Sequence, residues 1–259
     1  MSLEEIGTQQ QGAIDQTFSI IVPVSAHREE LAPRTFRSLL NQTYPADLYE
    51  VQIVIDGGRD VEKDVMEEEI KSYNDPRLNI AAIHDGRFER CISRNDGMRA
   101  ATKDWICWLD SDDEYMTCYL DRMNWAINEY PDHKVFNFGA IVCREGGHSL
   151  RQPFDLKGEL YEEFQGGMIG AGSFIFKREL LDDPDVGYLP EVMNCYALAD
   201  AAGIPGYNAA DRTLGNPWGD DAYMFYKIAK KYVSKKLDFF PYINYIRRSY
   251  NAPHYPTNK

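Results

Sequence analysis

The feature that most constrains this chain is the alternation, through its first half, of continuous apolar runs with amphipathic segments. "FSIIVPV", Phe18 to Val24, is β-branched and unbroken, as a strand buried on both faces of a parallel sheet requires, and Pro23 is expected to close it. A helix carrying Phe36, Leu39 and Leu40 on one face follows, then a second apolar strand, "YEVQIVIDGG", ending in Asp56-Gly57-Gly58. The pattern repeats with a helix from about Asp60 to Tyr73, with Met66, Ile70 and Tyr73 in register. After it come a short strand "LNIAAI", a helix from about Ser93 to Thr102 and a strand within "DWICWLDSDDEY". Repeated β-α-β order predicts an α/β fold with a mostly parallel, Rossmann-like central sheet and helices on both faces. Ligands of such sheets bind beyond the carboxyl ends of the strands. Pro23, Val24, Asp56 and the cluster Asp110 to Asp113 all fall at such ends.

Further along, Leu120, Met123, Ile127 and Tyr130 recur at helical spacing, and "KVFNFGAIVC" reads as another strand. Residues 144–211 are glycine-rich and irregular, which predicts loops over one face of the sheet, where functional groups collect. Phe225, Ile228, Ala229 and Tyr232 then mark an amphipathic helix opened by "NPWGDD". The first 16 residues carry early acids and no apolar core segment, so they read as a flexible tail and not as a signal peptide or anchor. No run approaches the roughly 20 apolar residues of a spanning helix.

Composition limits the function classes. A hydrophobic fraction of 44% with 13% aromatics supports a sizeable core. With 28 Lys and Arg against 41 Asp and Glu the net charge is −13, which argues against nucleic acid or an anionic bilayer as the main partner. Cys91, Cys107, Cys118, Cys143 and Cys195 are odd in number and lack CxxC spacing. They read as reduced thiols of a cytoplasmic protein rather than as a disulfide framework or zinc site.

Asp110-Ser111-Asp112-Asp113 at a strand end places several carboxylates where mutual repulsion calls for a cation. Oxygen ligands of this kind suit Mg²⁺ or Mn²⁺, and magnesium commonly takes substrate phosphates as further ligands. A solvated acidic turn capping the next helix would have the same composition, and the residues alone leave both readings open. For Asp220-Asp221 the alternatives are a general base and simple helix capping. A helix N-terminus stabilises carboxylate, so a base there is expected to act by position more than by a raised pKa.

Taken in order, "LAPRTFRSLLNQTYP", "YEVQIVIDGG", "RNDGMRAA", "WLDSDDEY", "GAGSFIFKRE" and "WGDD" resemble the successive motifs of family-2 glycosyltransferases with the GT-A fold. The resemblance runs from about Phe18 to Lys227. It implies an inverting, nucleotide-sugar-dependent hexosyltransferase acting on a hydroxyl of a carbohydrate or glycoconjugate, with a UDP-sugar favoured. Residues 17–245 would form one domain, a nucleotide-binding half to about 115 and an acceptor half beyond it, with 246–259 placed to close over the site. Pro23, Val24 and Asp56 would hold base and ribose, with Arg94 and Asn95 touching the nucleotide or ordering the acidic turn. Asp110, Ser111 and Asp112 form the DXD motif for ribose and Mn²⁺ or Mg²⁺, with Asp113 and a C-terminal His254 as further metal ligands. Gly172 and Trp218 would shape the donor-sugar and acceptor sites, and Arg247, Arg248 and Tyr250 the diphosphate side. Asp221, with Asp220, would be the catalytic pair. A lipid-linked acceptor would bring the enzyme to the membrane as a peripheral protein.

The usual "DDGS" turn is reduced here to Ile55-Asp56-Gly57-Gly58, and the segment Leu180 to Thr213 matches no motif. A nucleotidyltransferase of related fold would carry a Gly-rich basic loop where this chain has "SAHREEL". A catalytically silent nucleotide-binding protein would be expected to lose Asp112 or Asp221, and a dehydrogenase would need GxGxxG after the first strand.

Overall fold

A computed structural model describes residues 14–25, 31–57, 60–85, 90–144, 147–153, 171–191 and 220–246. The expected alternation is present: β1 (Phe18–Ser25), α1 (Ala32–Leu40), β2 (Tyr49–Asp56), α2 (Asp60–Ser72), β3 (Leu78–His84), α3 (Arg90–Ala100) and β4 (Trp105–Trp108). There follow β5 (Glu114–Tyr115), α4 (Tyr119–Glu129), β6 (Val135–Arg144), β7 (Gly147–Arg151), β8 (Phe174–Lys177), α5 (Asp220–Lys231) and β9 (Lys235–Ile246). Among the described residues no helix is long and apolar enough to cross a membrane.

The strands form one sheet in the order β3-β2-β1-β4-β8-β6-β9-β5, with β7 added on β6. β3, β2, β1, β4 are mutually parallel, and β6 runs parallel to β9. Antiparallel joints enter at β8, β5 and β7.

Strand periodicity distributes the core to two faces. Phe18, Ile20, Val22 and Val24 of β1 pack with Phe36 and Leu39 of α1, Met66 and Ile70 of α2, and Leu120 and Met123 of α4. Ile21 points the other way, toward Met98 of α3, Trp108 of β4, and Met224, Phe225 and Ile228 of α5. Gly97 lets α3 lie close on the sheet, because a Cβ there would fall 2.4 Å from Ile21 Cγ2.

Two sequence expectations change. Pro23 does not close β1; the strand runs on to Ser25, paired with β2 throughout. Its ladder with β4 ends at Ile21, whose carbonyl accepts from Leu109 N at 3.1 Å, so the missing proline N–H faces the side where β4 has already stopped. And residues 235–246, given no strand in the sequence reading, form the longest one described. Pro241 is accommodated at a register shift between Phe138 and Ala140 of β6, with its carbonyl accepting from Met116 N at 2.8 Å.

Candidate active site

The acidic turn leaves the end of β4, closed by Asp113 N donating to Asp110 O at 3.0 Å. Carboxylate oxygens of Asp110, Asp112 and Asp113 all lie within 4.8 Å of one another. The backbone of the turn is held from α1. Arg34 Nη2 donates to Asp112 O at 2.7 Å, its Nε pairs with Glu114 at 2.8 Å, and Thr35 Oγ1 donates to Asp113 O at 2.7 Å. The "SLLNQTYP" motif proves to be a brace for the same loop. Gln42 bonds Met116 O and Leu120 N, and Thr43 N donates to Thr117 O at 2.9 Å.

From the opposite side β9 reaches Asp113. Tyr242 Oη and Asn244 Nδ2 both donate to Asp113 Oδ2, the latter at 2.9 Å. Burial, with Asp113 and Asp110 adding to it, pushes the Tyr242 phenol well above its usual range, so it stays a donor. Asp113 is 1% exposed whereas the Asp110 side chain is 28% exposed. The turn thus has an inner carboxylate tied to the fold and outer ones facing the strand ends. Clustered hard oxygens of this kind fit a divalent Mg²⁺ or Mn²⁺.

Behind the turn lies Arg94, wholly buried. Its Nη2 pairs with Asp110 at 2.8 Å, its Nε donates to Asp220, and its guanidinium stacks 4.4 Å above the Trp108 ring. Arg90 Nε adds a second contact to Asp220 at 3.5 Å. Burial by itself would push the Asp220 carboxyl up, but Arg94 and Arg90 outweigh it and hold the group below the usual range. Asp221 has the opposite fate. Burial, then the neighbouring charge of Asp220, raises it to about 6, against the pull of Arg90 and Arg94. The expected lowering by the helix N-terminus is therefore overcome.

At the same carboxyl edge of the parallel strands, Asp56 closes β2 and is followed by Gly57 at φ 67°, a left-handed turn that suits glycine. Pro23 and Val24 are buried, and Val24 belongs to the core, so neither presents an exposed side chain at the strand end. The Asp56 carboxylate meets His84 of β3, a contact absent from the sequence reading. Of the two roles expected for Arg94, its contacts serve the ordering of the acidic turn. Asn95, also wholly buried, clasps the backbone of Leu189 through bonds of 2.8 and 2.9 Å. Ser111 is buried within the turn. At Gly172 a Cβ would fall 2.4 Å from the Tyr242 ring, so the missing side chain admits that ring. Trp218, Arg247, Arg248, Tyr250 and His254 lie outside the described residues.

The family model for Glycosyl transferase family 2 matches residues 19–183, well over half of the chain. The chain belongs to glycosyl transferase family 2. Among curated members, the putative glycosyltransferase EpsH of Bacillus subtilis is 31% identical over 126 residues, 48% of this chain and 35% of that protein. TarS from S. aureus in complex with UDP superposes with a TM-score of 0.61 at 18% identity, over 89% of this chain and 60% of that one. The mannosyltransferase PcManGT from Pyrobaculum calidifontis, in complex with GDP-Man and Mn²⁺, gives 0.56 at 16% identity, over 89% and 57%. At such identities these structures establish the fold alone, GT-A. This family-2 chain spans about a third of EpsH and some three-fifths of the TarS fragment.

Proposed function

We propose that the chain is a metal-dependent, inverting glycosyltransferase that moves a sugar from a nucleoside-diphosphate donor, a UDP-sugar in preference, onto a hydroxyl of a carbohydrate or glycoconjugate. The observation that carries this reading is that one buried guanidinium, Arg94, joins the acidic turn to the acidic pair through Asp110 and Asp220. Asp221 is left beside them as the group with a raised affinity for protons. Such a site has a proton acceptor on one side and, on the other, a turn that would hold a charge-neutralising cation, which is what glycosyl transfer needs.

Asp221 takes the proton of the acceptor hydroxyl as its oxygen bonds to the anomeric carbon from the face opposite the leaving group. The bond from that carbon to the diphosphate oxygen breaks, and the nucleoside diphosphate leaves with the electron pair. Asp112 and Asp110 would hold a divalent cation, with Asp113 setting the turn; when bound, the cation supplies charge neutralisation for the departing diphosphate. Asp56 with the Pro23-Val24 backbone serves the nucleobase end. The complexes of TarS with UDP and of PcManGT with GDP-Man and Mn²⁺ support a nucleotide donor and a metal.

Asp221→Asn tests the assignment. Donor binding by calorimetry should stay within about twofold of wild type, while transfer falls by about two to four orders of magnitude, the scale of general acid-base groups. Undiminished transfer would move the base elsewhere.

A further inference from the structure

His84 stands at the carboxyl end of β3, directly across the parallel ladder from Asp56 at the end of β2. Both side chains are nearly enclosed, at 11% and 10% exposure. The ring is spent on two carboxylates. Its Nδ1 lies 3.4 Å from Asp56 Oδ1, and its Nε2 lies 2.8 Å from Asp96 Oδ2 on α3. Asp96 is held in turn by Arg99 Nη1 at 2.9 Å, and Arg99 reaches Glu191 at 2.9 Å. An imidazole placed between two carboxylates donates to at least one of them, keeps two like charges apart, and fixes the rotation of both. Packing alone does not call for two carboxylates, because one backbone carbonyl and one backbone N–H satisfy both nitrogens of a buried neutral ring. Here it anchors the one acid that the shortened Asp56-Gly57-Gly58 turn retains at a strand end where ligands of parallel sheets bind.

We propose that His84 is a positioning residue for nucleobase selection: its ring, held between Asp56 and Asp96, aims the Asp56 carboxylate to accept a hydrogen bond from a ring imino N–H of the donor base. An ionised carboxylate only accepts, so it favours uracil or guanine, whose ring N–H donates, over cytosine or adenine, whose corresponding ring nitrogen accepts. The same α3 that carries Asp96 carries Arg94, so base reading and the acidic turn share one helix. The inference rests on the reading of Asp56 as the base contact.

The test is calorimetric titration of UDP, CDP, GDP and ADP with Mn²⁺ present, on wild type, His84→Ala, His84→Gln and Asp96→Asn, together with kcat and KM for transfer. Wild type should prefer UDP to CDP, or GDP to ADP. In His84→Ala that preference should shrink by about threefold to tenfold, the worth of one oriented hydrogen bond, through loss of the favoured nucleotide alone. KM for the donor should rise with kcat within about twofold, and the Mn²⁺ dependence of binding should persist. His84→Gln, which keeps a donor, should recover part of the preference, and Asp96→Asn should weaken it less than His84→Ala. Equal losses for both members of a pair, or an unchanged ratio in the His84 variants of a wild type that discriminates, would overturn the inference and leave the base-contact reading of Asp56 standing. A wild type that binds UDP and CDP alike, and GDP and ADP alike, would overturn both.

Discussion

At the scale of single residues, Arg94 decides how the two acids of "GDD" divide their work. The guanidinium is enclosed, and Asp110 and Asp220 facing it offset the cost of burying its charge. Asp220 is consumed in that pairing, and burial, then the charge of Asp220, raises its neighbour Asp221. Arg94→Lys loses the planar fork that reaches both acids, so it should lower stability by about 3 kcal/mol, a fall in Tm of roughly 6 °C or more, readable by calorimetry. A change of under a degree would remove Arg94 from the centre of the site. The Asp221 assignment also fixes a pH dependence. Protonated Asp221 cannot accept the hydroxyl proton, so transfer at saturating donor should climb with pH through about 6 and level off above it. In Asp220→Asn the neighbouring negative charge is gone, and the acid limb should move to lower pH. A limb that stays put would show that the titrating group is not Asp221.

At the scale of elements, β9 ties the carboxyl end of the chain to the acidic turn. Tyr242 fills the space left by Gly172 and donates to Asp113, so one ring links the segment before β8, the last strand and the acidic turn. Tyr242→Phe keeps the ring and removes the donor; it should cost about 1–2 kcal/mol in urea unfolding and weaken Mn²⁺-dependent nucleotide binding. Gly172→Ala presses a methyl group into the ring and should cost about 1–3 kcal/mol, with the same weakening of binding. Loss of stability with unchanged metal dependence in both variants would reduce β9 to a packing element. The parallel elements were legible because their apolar runs are continuous and their helices amphipathic. β9 was not, since Pro241 interrupts "KKLDFFPYINYI" and only the bulge opposite Gly139 makes the proline compatible with a ladder. Helix ends shifted by a turn or less, as with α3, which starts at Arg90 where periodicity suggested Ser93.

At the scale of the whole molecule, the acids of the site could be read from their types and their places at strand ends, while their partners could not. Arg94 meets Asp220 across 126 positions, and Tyr242 and Asn244 meet Asp113 across 129 and 131, separations that carry no local signal. His84 was invisible for the same reason, since only the β2–β3 register brings it to Asp56. Parallel pairing of β2, β1 and β4 sets Asp56 and the acidic turn at one carboxyl edge of the sheet, and Arg94 joins that turn to Asp220 at the start of α5, so the proposed base reading, charge neutralisation and proton transfer would belong to a single donor site. The measurement that tests this most directly is titration of UDP and GDP into wild type and Asp112→Ala, each with Mn²⁺ and with EDTA. The account predicts binding to wild type that is about tenfold or more tighter with Mn²⁺, with that gain lost in Asp112→Ala. Binding that is indifferent to metal in wild type, or a metal-dependent gain that survives in Asp112→Ala, would contradict it.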